Sequence, residues 1–170
     1  MEREEGAPPP GAAARPYSSR RCLVCGRENA AGLRVVYHAG GGRSRAEVTP
    51  PARFQGFNGT LHGGAVAALL DDAMWYAAYS AGLFTMTAEL AVRYRRPAPV
   101  ERPLRVEGRL VARRGRLAEL AAELRGPGGE VLAEATGKFL AVPEEVQRRL
   151  GAPTAIEPRP SAATDPSSGA

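Results

Sequence analysis

Apolar and polar positions divide the chain into two regimes. Between Gly59 and Gly82 runs GTLHGGAVAALLDDAMWYAAYSAG, whose stretch from Ala65 to Ala81 is almost wholly Ala, Val, Leu, Met, Trp and Tyr, broken by Asp71 and Asp72. A helix apolar on most of its faces is a buried helix. It is too short and too interrupted to span a bilayer, which needs about 20 uniformly apolar residues. Gly82 is placed to end it as a C-terminal cap. Beyond it the period changes to two. Ala88, Leu90, Val92 and Tyr94 alternate with Glu89, Ala91, Arg93 and Arg95; Leu104, Val106, Gly108 and Leu110 share a face; so do Ala118, Leu120, Ala122 and Leu124, and Val131, Ala133, Ala135, Gly137 and Phe139. The segment ELAAEL in the third run is a good helix former. Its alternation and flanking turn signals make it a strand. Upstream, Leu33–Ala39 and Arg43–Thr49 are strand-like about a three-glycine loop. Pro50–Thr60 reads as an irregular loop, and Pro143 opens a short helix to Leu150.

Two strands, a buried helix and four strands make an α+β fold. A sheet with one apolar face must cover something. The helix is the available filling, so an antiparallel sheet wraps around one long central helix. Pro, Ala, Gly, Ser and charge dominate residues 1–21 and 151–170, which read as disordered tails. The folded domain is expected over 22–150.

Charge narrows the partners. The chain of 170 residues has 23 Lys and Arg against 18 Asp and Glu. The arginines are spread out, with no basic stripe interleaved with aromatics. That favours a small phosphorylated ligand over nucleic acid. The first 21 residues lack the apolar stretch of a signal peptide, so a cytoplasmic protein is expected. Two cysteines cannot build a disulfide framework. Cys22-Leu-Val-Cys25-Gly26 is half of a zinc knuckle, but His38 and His62 are not at finger spacing. The sequence therefore predicts no metal and no cofactor, with the two thiols packed in a turn at the domain edge.

The candidate chemistry lies at the central helix. A carboxylate among apolar residues is costly unless paired, hydrogen-bonded or opened to a cleft. Helix positions one apart face about 100° apart, so Asp71 and Asp72 cannot enter one cleft. Asp71 is the candidate acid, and Asp72 a solvated or structural one. His62-Gly63-Gly64 at the helix start offers free N–H groups to a developing oxyanion. The glycines let a substrate approach the backbone. Plainer readings are a capping histidine, loop glycines, Trp75 and Tyr79 as core packing, and Arg93, Arg95 and Arg96 as solvated charges.

These residues carry a family resemblance. His62-Gly63-Gly64 with Asp71 nine residues after the histidine, TAELAVRYRRP over Thr87–Pro97, and CLVCGRENAAGL at the front together resemble the hotdog-fold thioesterases of the phenylacetate-pathway type, over roughly Cys22–Val142. The resemblance implies a hotdog fold, acyl-CoA as substrate, a homodimer or tetramer with acyl-CoA between subunits, and no membrane partner. It implies Asp71 as nucleophile or general base, Gly63 or Gly64 as the backbone donor to the thioester oxygen, and His62 beside it. Thr87 falls where some relatives place a serine that positions water. Arg93, Arg95 and Arg96 would meet the CoA phosphates. Several relatives carry an asparagine six residues before the histidine, where this chain has Gly56; Asn58 is the nearest substitute. Three rival readings follow: a hotdog hydratase or dehydratase, a non-catalytic acyl-CoA-binding protein, and a zinc-dependent nucleic-acid binder.

Overall fold

The structure, a computed structural model, describes residues Ser19–Ala152. Among them the strands are β1 His38–Gly40, β2 Arg43–Val48, β3 Gln55–Phe57, β4 Thr60–Leu61, β5 Thr85–Tyr94, β6 Leu104–Arg114, β7 Leu117–Arg125 and β8 Val131–Ala141; the helices are α1 Gly63–Ser80 and α2 Glu144–Arg149. Six strands form one antiparallel sheet in the order β1-β2-β6-β7-β8-β5. Helix α1 lies across one face of that sheet, and the expected hotdog arrangement is what the chain adopts.

The alternating positions explain this packing. On β6, β7 and β8 the residues facing α1 are Leu104, Val106, Leu120, Leu124 and Phe139, all nearly inaccessible to solvent. They meet Leu69, Leu70 and Met74 of the helix. Each such side chain contributes about 1.5–3 kcal/mol by leaving water. ELAAEL is a strand, as its alternation requires, and lies inside the sheet between β6 and β8.

Helix backbone and sheet come close together at Gly108. A Cβ there would stand 2.4 Å from the Ala73 carbonyl oxygen and 2.8 Å from Ser44 Oγ. Ser44 Oγ donates to that same carbonyl at 2.6 Å. Tyr37 donates to the Leu69 carbonyl at 2.9 Å, and the Gly42 N–H donates to Ser80 Oγ at 3.0 Å. Positions 69, 73 and 80 fall along one helical stripe, so a line of polar bonds fixes the rotation of α1. Its C-terminus closes as expected. Gly82 has φ 82°, its N–H donates to the Tyr79 carbonyl, and the Leu83 N–H reaches back to Ala78, the two bonds of a Schellman cap.

Three expectations need correction. Strand β1 is His38–Gly40 rather than the expected Leu33–Ala39. Arg34 has φ 55°, and the Leu33 and Val35 N–H groups donate to the carbonyls of Leu23 and Val24 instead. The loop Pro50–Thr60 contains a 3-10 turn at Ala52–Phe54 and enters a small hairpin formed by β3 and β4. On β5 the alternation is broken by a bulge between Thr87 and Glu89. Residues 1–18 and 153–170 of the expected tails lie outside the described residues. Inside them, the Ser19 carbonyl accepts from Cys22 N–H, and Ala152 is buried with Tyr79, Phe84 and Val142. No helix among the described residues is long and apolar enough to cross a membrane.

Candidate active site

The site is built around the two carboxylates of α1. Asp71 is half-buried, and Thr87 Oγ1 donates to its Oδ1 at 2.7 Å. Burial pushes the Asp71 carboxyl above the ordinary range, and the Thr87 bond partly opposes this by favouring the charged form. The β5 bulge accounts for the contact. Past the bulge, Leu90 and Val92 are the more shielded positions; before it, Thr87 turns to the helix. Bulges recur beside functional sites because they re-aim a side chain.

Asp72 faces elsewhere. It meets Cys22 and Cys25, and its Oδ2 is sealed from solvent with no hydrogen-bond partner. Burial, reinforced by the charge of Cys22, pushes it up to about 8. It is thus a structural acid rather than a solvated one, and the more enclosed of the two.

At the start of α1, His62 is the N-cap, and its Nδ1 accepts from the Gly64 N–H at 2.9 Å. Nδ1 in that role is unprotonated, so the ring proton sits on Nε2. The Ala65 and Val66 N–H groups donate to the His62 carbonyl. Of the first-turn donors this leaves the Gly63 N–H without a hydrogen bond among the described residues. The sequence offered Gly63 or Gly64 as the oxygen-binding amide; the capping bond occupies Gly64. A Cβ on Gly64 would stand 3.0 Å from His62 Nδ1, whereas one on Gly63 would make ordinary contact with Tyr94, 3.5 Å from its Oη and 3.6 Å from its ring. Tyr94 Oη donates to the Gly63 carbonyl at 2.8 Å, tying the helix start to the end of β5.

A cleft of about 310 Å³ opens beside this turn, lined among others by Leu23, Leu33, Phe54, Gln55, His62 and Gly64. Gly56 lies under the imidazole, where a Cβ would reach His62 Cδ2 at 3.2 Å. Asn58 lies at the exposed tip of the β3–β4 hairpin and does not line the cleft. Gln55 does line it, and Gln55 and Tyr94 were missed in the sequence. Tyr94 alone left a signal, its place on the inward face of β5.

The arginines lie apart. Arg95 pairs with Glu134 of β8. Arg93 belongs to a larger hollow of about 400 Å³ on the sheet face opposite α1, with Arg109, Glu123 and Glu134. That hollow contains neither His62 nor Asp71, so its size does not mark the chemistry. Arg96 is exposed. Trp75 and Tyr79 stack with ring centroids 5.0 Å apart, and the Trp75 indole donates to the Thr85 carbonyl. Their role is packing, the plainer of the two readings.

Within one chain the helix start and Asp71 are well separated. Asp71 is eight positions after Gly63, about 12 Å along a helix rising 1.5 Å per residue. One thioester carbonyl cannot touch both.

Comparison with known proteins gives the same picture. The thioesterase superfamily model matches residues 58–133. A thioesterase superfamily protein of solved structure is 38% identical, with a TM-score of 0.65 over 71% of this chain and 60% of that one. This chain therefore spans less than two thirds of that relative's length. A phenylacetic acid degradation-related protein from Ralstonia eutropha is 25% identical over 64% of this chain and 86% of that one, TM-score 0.59. A Streptococcus mutans protein bound to acetyl CoA is 18% identical over 64% and 86% respectively, TM-score 0.60, a likeness of fold. Comparison with the curated proteins gave no match.

Proposed function

We propose that this chain, which matches the thioesterase superfamily model over residues 58–133, hydrolyses an acyl-CoA thioester to the free acid and CoA, at a site shared between two copies of the chain. The observation that carries the proposal is the half-buried Asp71 held by Thr87, together with a helix N-terminus whose Gly63 amide is unengaged.

In this reading the thioester oxygen sits on the Gly63 N–H of one subunit, where the helix dipole favours the charge that develops. His62 Nε2–H lies beside that oxygen. Asp71 comes from the partner copy, because one helix holds the two groups about 12 Å apart. Its carboxylate takes a proton from water as the water oxygen bonds to the carbonyl carbon. The tetrahedral intermediate then expels the CoA sulfur, which takes the proton from Asp71. Burial favours proton uptake by Asp71, and Thr87 holds one oxygen so that the other faces the water. This supports a general base over a nucleophile. Direct attack would form an acyl anhydride on Asp71, which takes oxygen-18 from labelled water into that side chain when water opens the anhydride at the Asp71 carbonyl.

A second copy also suits the surface. Strand β5 is the last of the sheet, and the outer edge of its ten residues is unpaired among the described residues. Such an edge is a template for another strand. Phe57, Met86 and Tyr94 are exposed large side chains near the site. For the nucleotide part of the substrate, Arg93 and Arg96, unpaired among the described residues, offer forks for phosphate, with Arg95 held by Glu134, and Asn58 at the hairpin tip supplies a polar contact. Acetyl CoA bound by the Streptococcus mutans protein of like fold agrees with this substrate class.

The test is a panel of acyl-CoAs with a reagent for free thiol. Thiol release abolished by Asp71→Asn supports the reading. Binding without release would favour the non-catalytic acyl-CoA-binding protein.

A further inference from the structure

The Cys22–Gly26 turn and α1 meet at a place the thioester chemistry does not use. We propose that Cys22, Cys25 and Asp72 form a binding site for one borderline-soft divalent cation, zinc by the chemistry of the donors. A sulfur of each cysteine and a carboxylate oxygen of Asp72 lie within 4.8 Å of one another. A tetrahedral zinc with sulfur at about 2.3 Å places its ligand atoms about 3.7 Å apart, so small side-chain rotations close the site.

Three features support a cation. Cys22 Sγ accepts from the Val24 N–H at 3.3 Å and the Cys25 N–H at 3.5 Å. Backbone donors converging on one sulfur suit a thiolate, the form that binds metal. Asp72 Oδ2 is buried without a hydrogen bond, a costly state for a carboxylate that a cation would relieve. The ligands also come from segments remote in sequence, as a cross-link requires. Two thiolates exclude magnesium and calcium, which take oxygen ligands. The fourth position is left for water, since Cys22 is only half-buried. The sequence pointed to no metal because it sought the missing ligands among histidines; the fold supplies an aspartate from the helix.

The site has a consequence for the cleft. Leu23, between the two cysteines, and Leu33, bonded to it through the backbone, both line the cleft beside His62. A bound cation would fix this wall against α1.

The test uses the full chain, stripped with chelator under a non-thiol reductant and titrated anaerobically with cobalt(II). The expected result is one cobalt per chain, with thiolate-to-cobalt charge-transfer absorption and the intense ligand-field bands of a tetrahedral site, bleached by equimolar zinc. Melting temperature should rise with metal. Cys22→Ser should abolish the charge-transfer band or halve it, and Asp72→Asn should weaken cobalt binding at least about tenfold with an unchanged circular dichroism spectrum. Absence of thiolate absorption in the unaltered chain would overturn the proposal, whether or not any variant folds. So would unchanged affinity in Asp72→Asn, or saturation at half a cobalt per chain, which would mean a site assembled from cysteines of two chains.

Discussion

Thr87 Oγ1 donates to Asp71 Oδ1 across 2.7 Å, joining β5 to α1 at the carboxylate we propose as the base. The bond favours the charged form of Asp71, while burial disfavours it and dominates. A general base acts only when ionised. Hydrolysis should therefore fall as pH drops through a value above the ordinary carboxylate range. Thr87→Val removes the opposing bond and should move that acidic limb to higher pH. A limb that stays in place in kcat/KM against pH would show that Thr87 does not tune the base.

Asp71→Asn keeps the volume and removes the base. Turnover should fall at least about a hundredfold with melting temperature retained. Asp72→Asn should cost much less turnover, because that carboxylate faces Cys22 and Cys25 rather than Thr87. Comparable losses in the two variants, with folding intact, would contradict the assignment.

His62 has two separable duties. Its Nδ1 caps α1 by accepting from Gly64, and its Nε2–H, unbonded among the described residues, is the group proposed to meet substrate. His62→Asn retains a capping oxygen and should hold stability while lowering turnover. His62→Ala loses the cap as well, costing about 1 kcal/mol. Chemical denaturation and steady-state rates on the pair would separate the duties; equal stability of the two variants would refute the capping role.

Gly108→Ala tests the seat of the helix. A Cβ 2.4 Å from the Ala73 carbonyl forces backbone apart and should destabilise by about 1–3 kcal/mol, read as a lower denaturation midpoint. An unchanged midpoint would mean that the contact relaxes freely.

Much of this was legible in the residues. The period-two runs gave β6, β7 and β8 with their inward faces, because one side of each packs on α1 and the other is more open, although on β7 that other side is still half-buried. The apolar run gave α1, and Gly82 its end. What escaped depends on long-range geometry. Nothing local distinguishes Ala88 as a bulge residue, yet the bulge is what brings Thr87 to Asp71. The Leu33–Tyr37 segment has strand composition but bonds back to Leu23 and Val24, a tertiary choice. Asp71 and Asp72 look alike in the chain; their separation by helix geometry was foreseen, and the burial of Asp72 against two thiols was not.

The central claim is that the amide and the base of one site come from different chains. Gly63→Pro deletes that amide with little disturbance. Position 63 opens the helix, where proline is favoured; His62 at ψ 136° already has the extended backbone a following proline needs; and a Cβ there has room. Gly63→Pro and Asp71→Asn homodimers should each be nearly inactive. Unfolded together and refolded, they should regain about a quarter of parent turnover, since half of randomly formed two-fold dimers are mixed and each mixed dimer has one intact site. No gain over the separate variants, with mixed dimers demonstrated by mass, would contradict the shared site.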